Sequence, residues 1–317
     1  MARYLYERIL SALLTMFFVT AIIYLILSLI QGSALTVMGG SGSEMSAAEY
    51  EAARRALGLD LPVWLRYAHW LRDVLRGDLG SSYRYGVPVG EVIAQRFGSS
   101  ALLVGTAILF TLLLGLPVGV MAAYKPGSVW DRLSSFFALA GFSAPRFITC
   151  IACIYVFSFK LRLAPPMGMH NAGNASLLDL IHHLIMPSAI ITFGAMGYMI
   201  KQTRGACLEV FQEDYLKTAR AKGLSEVEVI FKHGLRTALA PILTQMMVQV
   251  PEIVGSAAIV EKIFGWPGIG SLMLDAIRNR DTPLIMGVTL VIASVVLVAN
   301  ILLDLAYGLL DPRVRYR

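Results

Sequence analysis

The sequence predicts an all-α integral membrane protein with six transmembrane helices, a helical extracytoplasmic segment and a helical elbow on the cytoplasmic side. Three observations predict it. The 317 residues are 56 % hydrophobic and only 15 % charged, whereas soluble domains carry about 25 % charge. Several apolar runs approach or exceed the ~20 residues needed to cross ~30 Å of hydrocarbon. The basic residues gather in alternate loops, as membrane topology demands.

The spans fall near 9–30, 99–123, 133–158, 184–200, 238–260 and 284–310, the fourth being the shortest. Residues 9–30 are longer than a signal-peptide core and no A-x-A cleavage site follows, so a retained span is favoured. The chain then divides into 1–30 (cytoplasmic N-terminus and first helix), 31–98 (extracytoplasmic helical segment) and 99–317 (a five-helix core containing the loop 201–237). One set of loops carries Arg3 and Arg8 against Glu7, Lys125 and Arg132 against Asp131, seven basic against five acidic residues in 201–236, and Arg313, Arg315 and Arg317 against Asp311. The third and fifth loops carry +1 and 0. Both termini and the 201–237 loop are therefore expected in the cytoplasm. The net charge of +6 tracks this topology. It lies on no basic, aromatic-interleaved soluble face, so a nucleic-acid partner is not expected.

In the outer segment, Ser46 and Glu49 form a capping box for a helix that Gly58 can close. Pro62 suits the first turn of a second helix ending near Gly77. Trp64, Ala68, Leu71 and Leu75 form a stripe expected to pack on the chain's own bundle, leaving the polar face for an outer partner.

The loop 201–237 has the clearest local grammar. Residues 208–222 read as one helix with Phe211, Tyr215 and Ala219 on a face. Gly223 suits the left-handed position after a helix. Ser225 and Glu228 make a capping box, and Leu224 and Val229 a hydrophobic staple. Pro241 falls near the start of the next span. A polar, doubly capped elbow between two membrane spans is a docking surface for a soluble partner.

These residues carry a resemblance. The stretch TARAKGL with a proline about eighteen residues beyond its glycine resembles the "EAA" coupling-helix loop of ABC importer permeases, in the dipeptide/oligopeptide/nickel subfamily. Thr218, Ala219 and Arg220 stand where the family name has Glu-Ala-Ala. LGLDLPVWLRYAHWL with GDLGSSY (57–83), VEKIFGWPGIG (260–270) and LLDLAYGLLDPR (302–313) resemble further signatures of that subfamily. The resemblance implies an inner-membrane transport subunit, not an enzyme, with no catalytic residue and no cofactor of its own. It implies four kinds of partner: a second, homologous permease, two cytoplasmic ATP-binding subunits that hold ATP and Mg, an extracytoplasmic solute-binding protein, and membrane lipid. It assigns the contact with the ATP-binding subunits to Thr218, Ala219, Arg220, Lys222, Gly223, Leu224, Ser225 and Glu228.

The sequence agrees in what it lacks. There is no G-x-x-x-x-G-K-[ST], so ATP hydrolysis would belong to another polypeptide. No metal site is read: Cys150 and Cys153, a C-x-x-C inside an apolar span, read as packing residues. His170, His182 and His183 read as loop histidines or the lining of an outer vestibule. Three charges lie inside spans, where they are costly. Asp304 belongs to a signature and reads as structural. Arg146 and Glu252 come out at similar heights if both spans are straight helices, so they are expected to pair or to line the translocation path. Arg146 departs from the small or amide residue usual in the family and would favour carboxylate-bearing cargo. Glu252 resembles nickel-type members and would favour cationic cargo. Together they point to peptides or a related zwitterionic or chelated solute. A passive channel or a membrane-embedded enzyme stays open as the alternative.

Overall fold

A computed structural model describes residues 2–29, 51–52, 55, 58, 60–173 and 176–310. The capping box at Ser46 and Glu49 and the charges of the 311–317 tail lie outside them. The helices are α1 (Ala2–Leu29), α2 (Val63–Val74), α3 (Val89–Phe110), α4 (Leu116–Tyr124), α5 (Val129–Ser143), α6 (Arg146–Cys153), α7 (Leu177–Phe211), α8 (Asp214–Ala221), α9 (Leu235–Ile263), α10 (Ile269–Arg278) and α11 (Thr282–Leu310). An isolated β bridge joins Ser81 and Pro88. Among the described residues five helical runs are long and apolar enough to cross a membrane, and α5 with the run Arg146–Lys160 that α6 opens gives a sixth if a bent pair counts as one span.

That bend corrects the continuous third span. The helices α5 and α6 meet at 103°. Ala144 is extended (ψ 122) and Pro145 caps the helix that follows. A proline offers no N–H and forces its predecessor out of the helical region, so the chain turns there. The fourth span is corrected in the other direction. Expected to be the shortest, it is the 35-residue α7, and 56 % of its apolar window is buried. Its helix runs eleven residues beyond the expected end at 200, so the loop 201–237 opens as helix.

The chain forms two compact units. The first comprises 1–99 with 267–297. Its core joins Val89, Val92 and Ile93 to Ile269, Leu272, Ala276, Leu284, Ile285 and Val288. Fully buried Asp281 organises the 79–88 loop: the Ser82 hydroxyl and the Arg84 N–H both donate to Oδ2, at 2.5 and 3.1 Å. Its Oδ1 accepts from the Leu284 N–H at 3.3 Å, capping α11. Pro62 caps α2, and Gly77 (φ +86) closes it. The face of α2 that packs on the bundle is not the expected stripe. Tyr67 and Trp70 turn inward, with the Tyr67 ring between those of Phe17 and Tyr24 of α1. Trp64 and Leu75 remain 70 % and 81 % exposed.

The second unit comprises 100–266 with 298–317, and α7 runs through its centre. Gly197 of α7 lies against the Ala138 backbone of α5, and Gly141 of α5 against the Phe193 backbone of α7. A Cβ at either glycine would overlap a carbonyl, so the two helices approach as closely as they do only because both positions lack one. Two apolar clusters fill the unit. One gathers Leu103, Ala107, Ile190, Ile191, Ile253, Val260, Phe264 and Trp266, and the other Val120, Met199, Cys207, Leu216, Val229, Ile230 and Ile242.

Candidate functional site

The elbow is built by backbone chemistry that the sequence announces. Gly223 has φ +83. The Gly223 N–H donates to the Arg220 carbonyl at 3.0 Å and the Leu224 N–H to the Ala219 carbonyl at 3.4 Å. These are the 5→2 and 6→1 bonds of a Schellman motif, which needs a left-handed residue at this position. The Ser225 hydroxyl then accepts from the Glu228 N–H at 3.3 Å, satisfying one of the orphan donors of the next helix. Arg220 Nε bonds Glu226 Oε1 at 2.9 Å, a clasp across the turn between the two helices. On α8, Lys217 bonds Asp214 at 2.8 Å and holds its carboxyl below the ordinary range.

Three details differ from expectation. The run 208–222 is broken at Gln212–Glu213, so α8 starts afresh at Asp214. The residue that anchors it is Leu216, fully buried, while Tyr215 stays exposed and donates its hydroxyl to Thr237 at 3.0 Å. Val229 is fully buried but Leu224 is 37 % exposed, so the staple buries one partner only. No break separates the elbow from the fifth span, because one helical run covers Glu228–Ile263 with Pro241 inside it. The elbow is thus continuous with a membrane-crossing helix. Thr218, Arg220, Lys222, Gly223, Leu224, Ser225 and Glu228 all lie on its open surface, with Ala219 half-buried.

In the spans, Arg146 and Glu252 come together. Arg146 Nη2 lies 3.6 Å from Glu252 Oε1. The bend at Pro145 means that the straight-helix height does not apply to Arg146, which is the first residue of α6. The two sides of the pair are unequal. Arg146 is 17 % exposed and its Nη1 donates to the Ile191 carbonyl at 3.2 Å. It lies over Gly194, where any Cβ would strike the guanidinium. Glu252 is 55 % exposed. It sits on an open face of α9 whose exposed positions, Pro241, Thr244, Val248, Glu252, Gly255 and Ile259, recur every three or four residues. A carboxylate bare to hydrocarbon is costly, so this face must meet water or a polar partner. Polar links continue behind it: Gln249 donates to the Ala195 carbonyl, and the Tyr198 hydroxyl to Gln245 at 2.7 Å. An apolar hollow of about 650 Å³ elsewhere in the unit, lined by Thr106, Phe110, Ile185, Ser188 and Phe193, offers no charged group.

The sequence reading missed several polar anchors. Glu261, 1 % exposed, accepts the Ser100 hydroxyl at 2.6 Å. It precedes the buried Phe264 and Trp266, so the VEKIFGWPGIG stretch is packed interior. Asp131 and Arg204, which the topology count treats as loop charges, form a bidentate pair at 2.6 and 2.9 Å, with Asp131 buried and Arg204 partly open. Two of the three histidines surround a buried carboxylate. His183 and His170 lie 3.6 and 3.4 Å from Asp179, while His182 turns to the Leu163 carbonyl at 2.8 Å. Asp304 is buried, and Cys150 and Cys207 are buried free thiols.

Residues 115–316 match the family described as binding-protein-dependent transport system inner membrane component. Residues 1–117 match the corresponding N-terminal membrane-component family. The chain is 37 % identical to a putative peptide permease protein of Brucella suis biovar 1 (strain 1330), over 99 % of both chains. It is 35 % identical to the oligopeptide transport system permease protein AppB of Bacillus subtilis (strain 168) and 32 % identical to the dipeptide transport system permease protein DppB of Escherichia coli (strain K12), each over 100 % of both chains. Its fold resembles that in an inward-facing structure of the MetNI methionine ABC transporter, with a TM-score of 0.53 at 16 % identity, covering 69 % of this chain and 96 % of that one. A chain matched along its length by these relatives, with membrane-crossing helices and a capped elbow between two of them, belongs to the inner-membrane permease components of binding-protein-dependent ABC importers.

Proposed function

We propose that this permease carries small peptides, or a related zwitterionic or chelated solute such as a nickel or metallophore complex, inward across the cytoplasmic membrane. It acts as one of two permease subunits, with both termini in the cytoplasm. The elbow carries this reading: a rigid, exposed helix pair continuous with a membrane span can pass a partner's movement into the membrane. An extracytoplasmic solute-binding protein delivers cargo. Two ATP-binding subunits, holding ATP and Mg, grip the elbow through Thr218, Ala219, Arg220, Lys222, Gly223, Leu224, Ser225 and Glu228. Their closure moves α8 and the Glu228–Ile263 helix together and turns the spans from inward- to outward-facing. The relatives named for peptide transport support the cargo class, and the Arg146–Glu252 pair supports it independently. A guanidinium and a carboxylate side by side offer one contact for each end of a zwitterion.

Cross-linking checks the docking. A short cross-linker on Lys222→Cys in the tagged chain, expressed in its native host, is expected to capture a P-loop ATPase. Purification of the chain with no ATPase, together with ATP-independent flux, would return the passive channel to first place.

The path assignment has its own test. Arg146→Glu and Glu252→Arg, made singly, are each expected to abolish most transport. The double reversal should not restore wild-type cargo preference, because the seat formed by Gly194 and the Ile191 carbonyl accepts a cation and repels a carboxylate. Full rescue with unchanged specificity would make the pair purely structural.

A further inference from the structure

The position of α2 has a consequence for what surrounds it. Its Tyr67 hydroxyl lies 3.0 Å from the Thr20 hydroxyl and donates to the Phe17 carbonyl at 3.2 Å. Both partners belong to α1, whose span runs Tyr6–Leu29. Thr20 precedes the end of that span by nine residues, which is roughly 13 Å along a helix rising 1.5 Å per residue. The ring of Tyr67 lies 5.8 Å from Phe17 and 5.6 Å from Tyr24, centroid to centroid. It is therefore held alongside the second half of the α1 span and not above its end. A phenol reaches only about 6 Å from its own backbone, so α2 itself sits below the end of α1. At ~30 Å of hydrocarbon thickness this is inside one leaflet.

The apolar residues of α2 fit that depth. At about 100° per residue, Val63, Tyr67, Trp70 and Val74 make one stripe, and Trp64, Ala68, Leu71 and Leu75 make a second one about 100° away. The first faces α1. The second is open, with Trp64 at 70 % and Leu75 at 81 % exposure. Arg66, His69, Arg72 and Asp73 occupy the remaining arc. α1 itself leaves Phe18, Ile22, Leu25 and Ile26 exposed along the same stretch of the helix, a lipid-facing composition.

We propose that α2 lies in the plane of the membrane as an interfacial helix, with its Trp64–Ala68–Leu71–Leu75 face buried against phospholipid acyl chains. In the topology proposed above this is the outer leaflet. The occupant is lipid because the open stripe is apolar and is held beside a membrane-crossing helix at a depth within its span. A helix with one apolar arc, an aromatic near its end and arginines whose stems can reach the headgroups is the sort that binds this boundary. The segment joining the first two spans is then partly a membrane anchor, and only its polar arc is available to a soluble partner.

Spin labels decide it. Trp64→Cys, Leu75→Cys and His69→Cys are made in the full transporter and labelled in nanodiscs of phosphatidylglycerol and phosphatidylethanolamine, with the unmodified chain as background for the native thiols. Positions 64 and 75 should relax more with dissolved oxygen than with a water-soluble nickel chelate, and position 69 should show the reverse. Chelate access at 64 and 75 would place the stripe in water, free for a soluble protein. Protection from both reagents would mean that protein covers it. Either result overturns the proposal.

Discussion

Gly223→Val is expected to abolish transport while leaving the permease folded. The glycine has φ +83, and an added Cβ meets nothing within 4 Å, so the substitution acts through the backbone alone. A left-handed conformation costs an ordinary residue roughly 1–2 kcal/mol, and a β-branched one is an outlier there. If the chain relieves that strain by moving to negative φ, it loses the two bonds that close α8, from Gly223 and Leu224 to Arg220 and Ala219. The Arg220–Glu226 clasp, which needs both helices in register, goes with them. The elbow then flexes where the proposed mechanism needs it to push. The measurement is cargo uptake and ATPase rate in proteoliposomes of the assembled transporter. Uptake should fall to background with ATP hydrolysis retained but no longer raised by cargo. Gly223→Asn should keep most of the uptake, because asparagine tolerates the left-handed region. Normal, cargo-stimulated transport by the valine variant would show that the rigid turn is not what transmits movement.

The turn was legible in the sequence because its physics is local. Gly223, Ser225, Pro62 and Gly77 each act on backbone groups within five residues, and each does so in the structure. The faces of short helices were harder, because the phase of a helix depends on where it starts. Joining 208–222 into one run put Tyr215 on the packing face, whereas a break at Gln212 hands that role to Leu216. On α2, two apolar stripes compete for α1, and nothing within the helix says which will win. The bend at Ala144–Pro145 was written in the residue pair but was overridden by the apolar length around it. Arg146 and Glu252 stood out because charge inside a span is expensive, yet the seat that fixes Arg146 could not be read. It consists of an absent side chain at Gly194 and the Ile191 carbonyl, brought together from 45 residues away in sequence.

The same distinction, between charges that only look solvated and those that are, gives the largest stability effect expected in this chain. Asp131 and Arg204 sit in segments that a charge count treats as solvated loop, and because they cancel, their pairing leaves that count unchanged. In the structure Arg204 Nε and Nη2 grip the two oxygens of Asp131 at 2.6 and 2.9 Å, and the Gly127 N–H donates to Oδ2 at 2.8 Å. The Asp131 side chain is 7 % exposed and that of Arg204 30 %. Removing one partner of a buried pair leaves an uncompensated charge and costs about 3–5 kcal/mol, while replacing both with apolar residues is often neutral. Arg204→Met should therefore destabilise the purified permease by about 3 kcal/mol, at the lower end because Arg204 is partly open to solvent. Asp131→Leu with Arg204→Met should recover most of that loss, since the Gly127 N–H is the only other donor left wanting. A double-mutant cycle on unfolding in detergent separates the pair from its surroundings. A coupling near zero would mean that the pair is solvated after all, and that the close approach of α5 and α7 at Gly141 and Gly197 holds these helices without it.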